Sequence, residues 1–107
     1  MYSKELLKGT LSVIVLKLLK DNDKMYGYEI TQKVKELSEN KIHIKEGSLY
    51  PALHKLKTEA YLTTETENIG NRVRKYYRLT EKGEVLLQEK LFEVKDFMKT
   101  IHLIISD

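Results

Sequence analysis

The sequence has no cysteine and no tryptophan, and a single proline, Pro51, in 107 residues. Without cysteine there is no disulfide, no thiolate metal site and no thiol nucleophile. The longest apolar stretch, Leu11 to Leu19, is interrupted by Ser12 and Lys17 and is too short to span a bilayer. The opening Met1-Tyr2-Ser3-Lys4-Glu5 lacks the basic-then-apolar pattern of a secretory signal. A soluble cytoplasmic protein with no membrane partner is the expectation. Histidine is sparse: His43, His54 and His102 include no pair at the i, i+4 spacing of a helical metal site. None of the five glycines opens a phosphate loop followed by Lys and Ser or Thr. Around Glu46-Gly47-Ser48 and the other hydroxyls, no base and orienter form a recognisable nucleophile elbow. The expectation is a non-enzyme without cofactor or metal.

What the chain does carry is charge, at 33% of residues, beside 41% hydrophobic residues. Those proportions and the length suit one compact folded domain. Nineteen Lys and Arg against sixteen Asp and Glu leave +3. The total says little and its distribution says more. Residues 1–40 carry +1, residues 41–82 carry +4, and residues 83–107 carry −2. The basic excess lies in the middle, ahead of an acidic tail.

Periodicity supplies the elements. Leu7, Leu11, Ile14 and Leu18, widened by Leu6, Val15 and Leu19, predict a helix over 4–20. Gly9 inside it suggests close packing. Ile30, Val34 and Leu37 mark a second helix over 26–38. Ile42-His43-Ile44 alternates like a very short strand. A third helix is predicted over 48–60, with Ser48 as N-cap and Pro51 in the first turn. β-Branched and aromatic residues over 62–67 and 73–79 flank Asn68-Ile69-Gly70-Asn71, the pattern of a hairpin. Thr80 then caps a last helix, in which Leu87, Leu91, Val94, Met98, Ile101 and Ile105 alternate steps of four and three. The fold class is mainly α with a small β-hairpin.

Three helices followed by a hairpin is the order of a winged helix-turn-helix, whose third helix enters the DNA major groove. In that helix Leu49, Leu53, Leu56 and Ala60 share one direction, while Pro51, His54 and Thr58 lie opposite, flanked by Ser48 and Lys55. This outer face is either a solvated helix surface or a set of donors for base edges and phosphates. Arg72, Arg74, Lys75 and Arg78 place four cations in seven residues of the hairpin. They either protect an edge strand from aggregation or meet phosphates or the minor groove, and Glu65 and Glu67 on the partner strand are available to pair with some of them. Strand alternation puts Tyr77 with Leu79 toward the core and Tyr76 among the arginines. The seam of the last helix calls for a partner of its own, and a second copy of the chain is the economical one. Rival readings are a winged helix that docks another protein and a dimer that carries a small molecule without DNA.

Three segments carry a family likeness: Met25-Tyr26-Gly27-Tyr28-Glu29-Ile30, Glu46-Gly47-Ser48-Leu49-Tyr50-Pro51-Ala52-Leu53-His54-Lys55-Leu56, and Arg72-Val73-Arg74-Lys75-Tyr76-Tyr77-Arg78-Leu79-Thr80. In order and spacing, over roughly residues 5–83, the sequence resembles the PadR family of bacterial transcriptional regulators, in its short form with one C-terminal helix. The resemblance implies a winged helix-turn-helix DNA-binding domain over 1–80 and a C-terminal dimerisation helix over 81–107. It implies a homodimeric repressor on an inverted-repeat promoter operator in double-stranded DNA, with a small-molecule effector in some members. By motif position Ser48, Tyr50, Pro51, His54 and Lys55 would lie at the groove, and Arg72, Arg74 and Lys75 on the wing. Tyr26 has two readings, a hydroxyl reaching a phosphate or a core ring in phase with Ile30. The interface would use helix 1 through Leu7 and Leu11, and the last helix through Leu87, Leu91, Val94, Met98, Ile101 and Ile105. Two features depart from the family. The drug-binding type has a tryptophan on the last helix, where this chain has Val94 with Phe92 and Phe97 nearby. Ala60-Tyr61 stands where an acidic residue and a glycine are common, which should alter the turn rather than the function.

Overall fold

A computed structural model describes residues 2–107. Its elements are α1 (Lys4–Lys8), α2 (Leu11–Asp21), β1 (Met25–Tyr26), α3 (Gly27–Leu37), α4 (Glu46–Thr58), β2 (Leu62–Ile69), β3 (Arg72–Leu79) and α5 (Glu81–Ile105). The strands form one antiparallel sheet in the order β1-β3-β2.

Several boundaries differ from the sequence expectations, each for a local reason. The first helix is two, because Thr10 folds back on α1: its N–H and its hydroxyl both donate to the Leu7 carbonyl at 3.1 Å. Gly9 sits at this break, where a β-carbon would meet nothing within 4 Å, so no close packing explains it. Met25–Tyr26 forms a short strand against Tyr77 and Tyr76, a pairing two residues long and too short to leave a periodic signal. Ile42-His43-Ile44 is not a strand. It is an extended loop held by the Ile42 N–H on Ser38 Oγ at 2.9 Å, with Ile42 and Ile44 packed on the core.

Helix α4 starts earlier than expected. The Lys45 carbonyl accepts from both Ser48 and Leu49 at 3.0 Å, which makes Lys45 the N-cap and places Ser48 inside the first turn. Pro51 therefore lies inside the helix, and its missing N–H leaves the Gly47 carbonyl without an intrahelical donor. Gly47 and Pro51 are both exposed, at the solvent-facing side of the helix. At the other end Ala60 leaves the apolar stripe. It is exposed, with φ 67°, at the turn where the Tyr61 N–H returns to the Leu56 carbonyl and the Ala60 N–H to Lys57. That is a Schellman ending, whose left-handed position favours glycine.

The core gathers Val15 and Leu16 from α2, Ile30 from α3, Leu49 and Leu53 from α4, Leu62 from β2 and Leu87 from α5, all fully or almost fully buried. Leu86, Leu91 and Val94 pack on it as well. The first half of α5 thus completes the core, and the distal half continues beyond it. Thr80 caps α5 through its hydroxyl, which accepts from the Gly83 N–H at 3.0 Å. A helix of 25 residues is about 37 Å long, which accounts for a molecule 57 Å in its longest dimension.

Candidate nucleic-acid interface

Helix α4 turns its leucines inward: Leu49 and Leu53 have no accessible surface and Leu56 is 4% exposed. Ser48, Tyr50, Pro51, His54 and Lys55 are all exposed. They offer hydroxyl, imidazole and ammonium groups with no acidic residue among them. Tyr50 is more constrained than the others, since its ring lies across Gly27 at the start of α3. The two helices thus meet through a tyrosine laid over a glycine.

The hairpin runs in register from Leu62 opposite Leu79 to Ile69 opposite Arg72, and turns at Gly70-Asn71 with Gly70 at φ 61°. Alternation sorts its side chains. Arg72, Arg74, Tyr76 and Arg78 share one face with their cross-strand partners Glu67 and Glu65, while Lys75 lies on the other face with Tyr77. Arg72 and Lys75 are exposed and Arg74 is half-buried. The three wing residues named from the sequence are therefore split between two faces.

The carboxylates beside them are already engaged. Glu65 pairs with Arg78, which also donates from Nη1 to Asp23 Oδ1 at 2.7 Å. Glu67 pairs with Lys24, whose Nζ also stands 3.9 Å from Glu65. Hydrogen bonds to Asp23 and Glu65 raise the pKa of Arg78, and the bond to Glu67 raises that of Lys24. Among the described residues, no ion pair neutralises Arg72, Arg74 or Lys75.

Tyr26 belongs to this region rather than to the core stripe of α3. It is half-buried on β1, opposite Tyr76, with the Arg74 guanidinium carbon 4.0 Å from its ring centroid. Its N–H donates to Glu29 Oε1 at 3.1 Å, which caps α3. Lys24 and Tyr76 join the site from outside the set of residues that the sequence assigns to DNA. Strand alternation, which places Tyr76 among arginines, is the sequence signal for one, and nothing short of the β1 pairing marks the other.

The residues expected to mediate self-association are spread unevenly. Leu87 is fully buried, which leaves it no surface for a partner, and it acts as a core residue. Leu91 and Val94 are half-buried against the chain's own core, and Leu7, Leu11 and Ile101 are half-buried too. Met98 and Ile105 are exposed, at 57% and 73%. Phe92, Phe97, Leu103 and Ile104 enlarge that apolar surface. No helix among the described residues is long and apolar enough to cross a membrane.

Known proteins share this arrangement. A family model described as the transcriptional regulator PadR-like family matches residues 15–89. A transcriptional regulator of Mycobacterium tuberculosis is 31% identical over 86 residues, covering 80% of this chain and 77% of that protein. A solved PadR family transcriptional regulator of Eggerthella lenta superposes with a TM-score of 0.80 at 32% identity, over 96% of this chain and 88% of that one. A transcriptional regulator of Clostridium thermocellum reaches a TM-score of 0.90 at 27% identity, over 96% and 100%. With the winged helix-turn-helix and its sequence motifs matching over most of its length, the chain belongs to the PadR-like family of transcriptional regulators.

Proposed function

We propose that this regulator binds a promoter operator of inverted-repeat form in double-stranded DNA as a homodimer, and represses by occluding it. Helix α4 enters the major groove with Ser48, Tyr50, Pro51, His54 and Lys55 toward the bases and flanking phosphates. Arg72, Arg74 and Lys75 reach phosphates from the wing, and Tyr26 backs Arg74 at its base. The observation that carries the reading is the sorting of charge on the hairpin. Lys24 and Arg78 consume Glu65, Glu67 and Asp23, so the remaining wing cations keep their charge for DNA.

The dimer rests on the distal half of α5. Phe92, Leu103, Ile104 and Ile105 are each more than 70% exposed, and a lone soluble chain rarely leaves so many large apolar side chains of one helix in water. Pairing through α5 and α1 covers it and duplicates the basic reading head, which suits a two-fold operator. Release follows from an effector bound between the subunits that changes the separation of the two α4 helices. The cytoplasm, where promoter DNA lies, is the site of action, and no reaction is assigned to the chain.

The direct test is an anisotropy titration with DNA upstream of the gene, run at two salt concentrations against a random duplex. Tighter, salt-sensitive binding to the upstream fragment is the expected result. Equal and weak binding to both duplexes would count against promoter recognition.

A further inference from the structure

Three arginines leave one face of β3 and meet different fates. Arg78, at the base, is held by Asp23 and Glu65. Arg72, next to the turn, is exposed. Arg74, between them, is half-buried and yet has no carboxylate partner among the described residues. Glu67, directly across the ladder, bonds Lys24, and Glu29, whose charge acts on Arg74 without forming an ion pair with it, accepts from the Tyr26 N–H.

What holds Arg74 is aromatic. Its guanidinium carbon stands 4.0 Å from the Tyr26 ring centroid. Tyr76 meets Tyr26 edge to face, with centroids 5.5 Å apart and planes at 85°. Tyr76 also favours the charged form of the guanidinium. Tyr76 is steadied in turn by the Lys24 ammonium, 4.7 Å from its ring centroid. A carboxylate would fix an arginine and cancel its charge, as happens at Arg78. Tyrosine rings fix it and leave the charge whole, and a stacked guanidinium still presents its N–H fork edge-on to an anion.

We propose that Tyr26 and Tyr76 form an aromatic clamp that presets Arg74 for a DNA phosphate, with Tyr76 as a positioning residue acting through Arg74. This inference rests on the DNA-binding reading of the wing and adds a residue to it.

The experiment is a double-mutant cycle on the full chain: Tyr76→Leu, Arg74→Gln and the two combined, titrated by anisotropy against a labelled random duplex across a salt series. Tyr76→Leu is expected to weaken binding by about five-fold with an unchanged salt slope, since it removes the ring that braces Tyr26 beneath the guanidinium and leaves every phosphate neutralised. Arg74→Gln should weaken binding and reduce the slope by about 0.9. In the Arg74→Gln background, Tyr76→Leu should then have no further effect. An equal loss in both backgrounds marks Tyr76 as merely structural and overturns the clamp, leaving DNA binding intact. A Tyr76→Leu chain that binds like wild type overturns it too. If Arg74→Gln binds like wild type, or the wild type binds no duplex, the clamp and the reading of the wing fall together.

Discussion

The ring of Tyr50 on α4 lies so close over Gly27 on α3 that a β-carbon there would stand 2.5 Å from its hydroxyl oxygen and 2.8 Å from Cζ. Tyr50 is 44% exposed, so its ring has room to swing outward and the backbone need not yield. Gly27→Ala is therefore expected to cost only about 1 kcal/mol in stability, while displacing an exposed residue of the proposed DNA surface. Gly83 gives the contrast, because its β-carbon would overlap the Tyr61 backbone carbonyl and the Leu79 side chain. A backbone carbonyl that also accepts the Thr80 N–H cannot step aside. Gly83→Ala should cost about 3 kcal/mol. Thermal unfolding of the two variants side by side checks the ranking, and equal melting temperatures would refute it.

Ala60 occupies the left-handed position of the Schellman ending at φ 67°, with an exposed side chain. An L-residue pays roughly 1–2 kcal/mol there, part of which glycine returns as chain entropy. Ala60→Gly should therefore stabilise the fold by about 0.5–1 kcal/mol, seen as a rise of several degrees in Tm. DNA affinity should not change, because Ala60 lies past the end of α4.

Ala60 also shows where sequence reading fails. Helical phase places it with Leu49, Leu53 and Leu56, and three of the four are core. Phase cannot say where a helix stops, and the hydrogen bonds of Tyr61 and Ala60 to α4 carbonyls decide that. The buried stripes, the hairpin and the Thr80 cap are legible because each repeats a local pattern. Strand β1 is not, since two residues carry no period and their partners lie some fifty positions away on β3. A separation of 43 positions likewise hides Lys24 and its bond to Glu67. Sequence can name Arg72, Arg74, Lys75 and Arg78 as a basic cluster, but only the fold separates the engaged arginine from those without an acid.

Tyr77 is buried, and that burial, with Tyr50 nearby as a lesser cause, raises its pKa above the ordinary phenol value. A raised folded-state pKa means that the native chain binds the proton more tightly than the unfolded one. The resulting stability is intact below about pH 10, the unfolded value, and is lost as pH rises through the folded value. Urea unfolding at a series of alkaline pH values should show a steeper fall for the wild type than for Tyr77→Phe. Parallel curves would mean that Tyr77 ionises as freely in the fold as outside it.

The division of α5 predicts two distinct phenotypes on one helix. Leu87→Ala removes a side chain with no exposed surface and should cost about 2–5 kcal/mol of fold stability. Met98→Glu combined with Ile105→Glu places two charges on the exposed distal face, where a chain on its own loses nothing. In the proposed dimer those charges would be buried unpaired, at several kcal/mol each. Sedimentation velocity should find the double variant monomeric with native circular dichroism. A double variant that stays dimeric would move the interface away from distal α5.

Wing and helix variants should differ in kind as well as in size. Arg72 and Lys75 are exposed, lie on opposite faces of β3 and lack acidic partners among the described residues. Neutralising either as Gln should weaken binding to operator and random duplex alike, and lower the salt slope by about 0.9 for each phosphate left without its cation. His54 and Lys55 stand on the outer face of α4, behind which Leu53 and Leu56 hold the helix in place. Replacing either with Ala should relax preference at particular base pairs by about 1–3 kcal/mol, while random-duplex binding falls much less. The slope and the preference are separate readouts, so a wing variant that alters base preference alone would exchange the proposed roles of the two elements. Arg78→Gln supplies the internal comparison. Its guanidinium is spent on Asp23 and Glu65, so its removal leaves every phosphate neutralised and frees two carboxylates beside the wing. Random-duplex affinity should fall through that added negative charge while the salt slope holds.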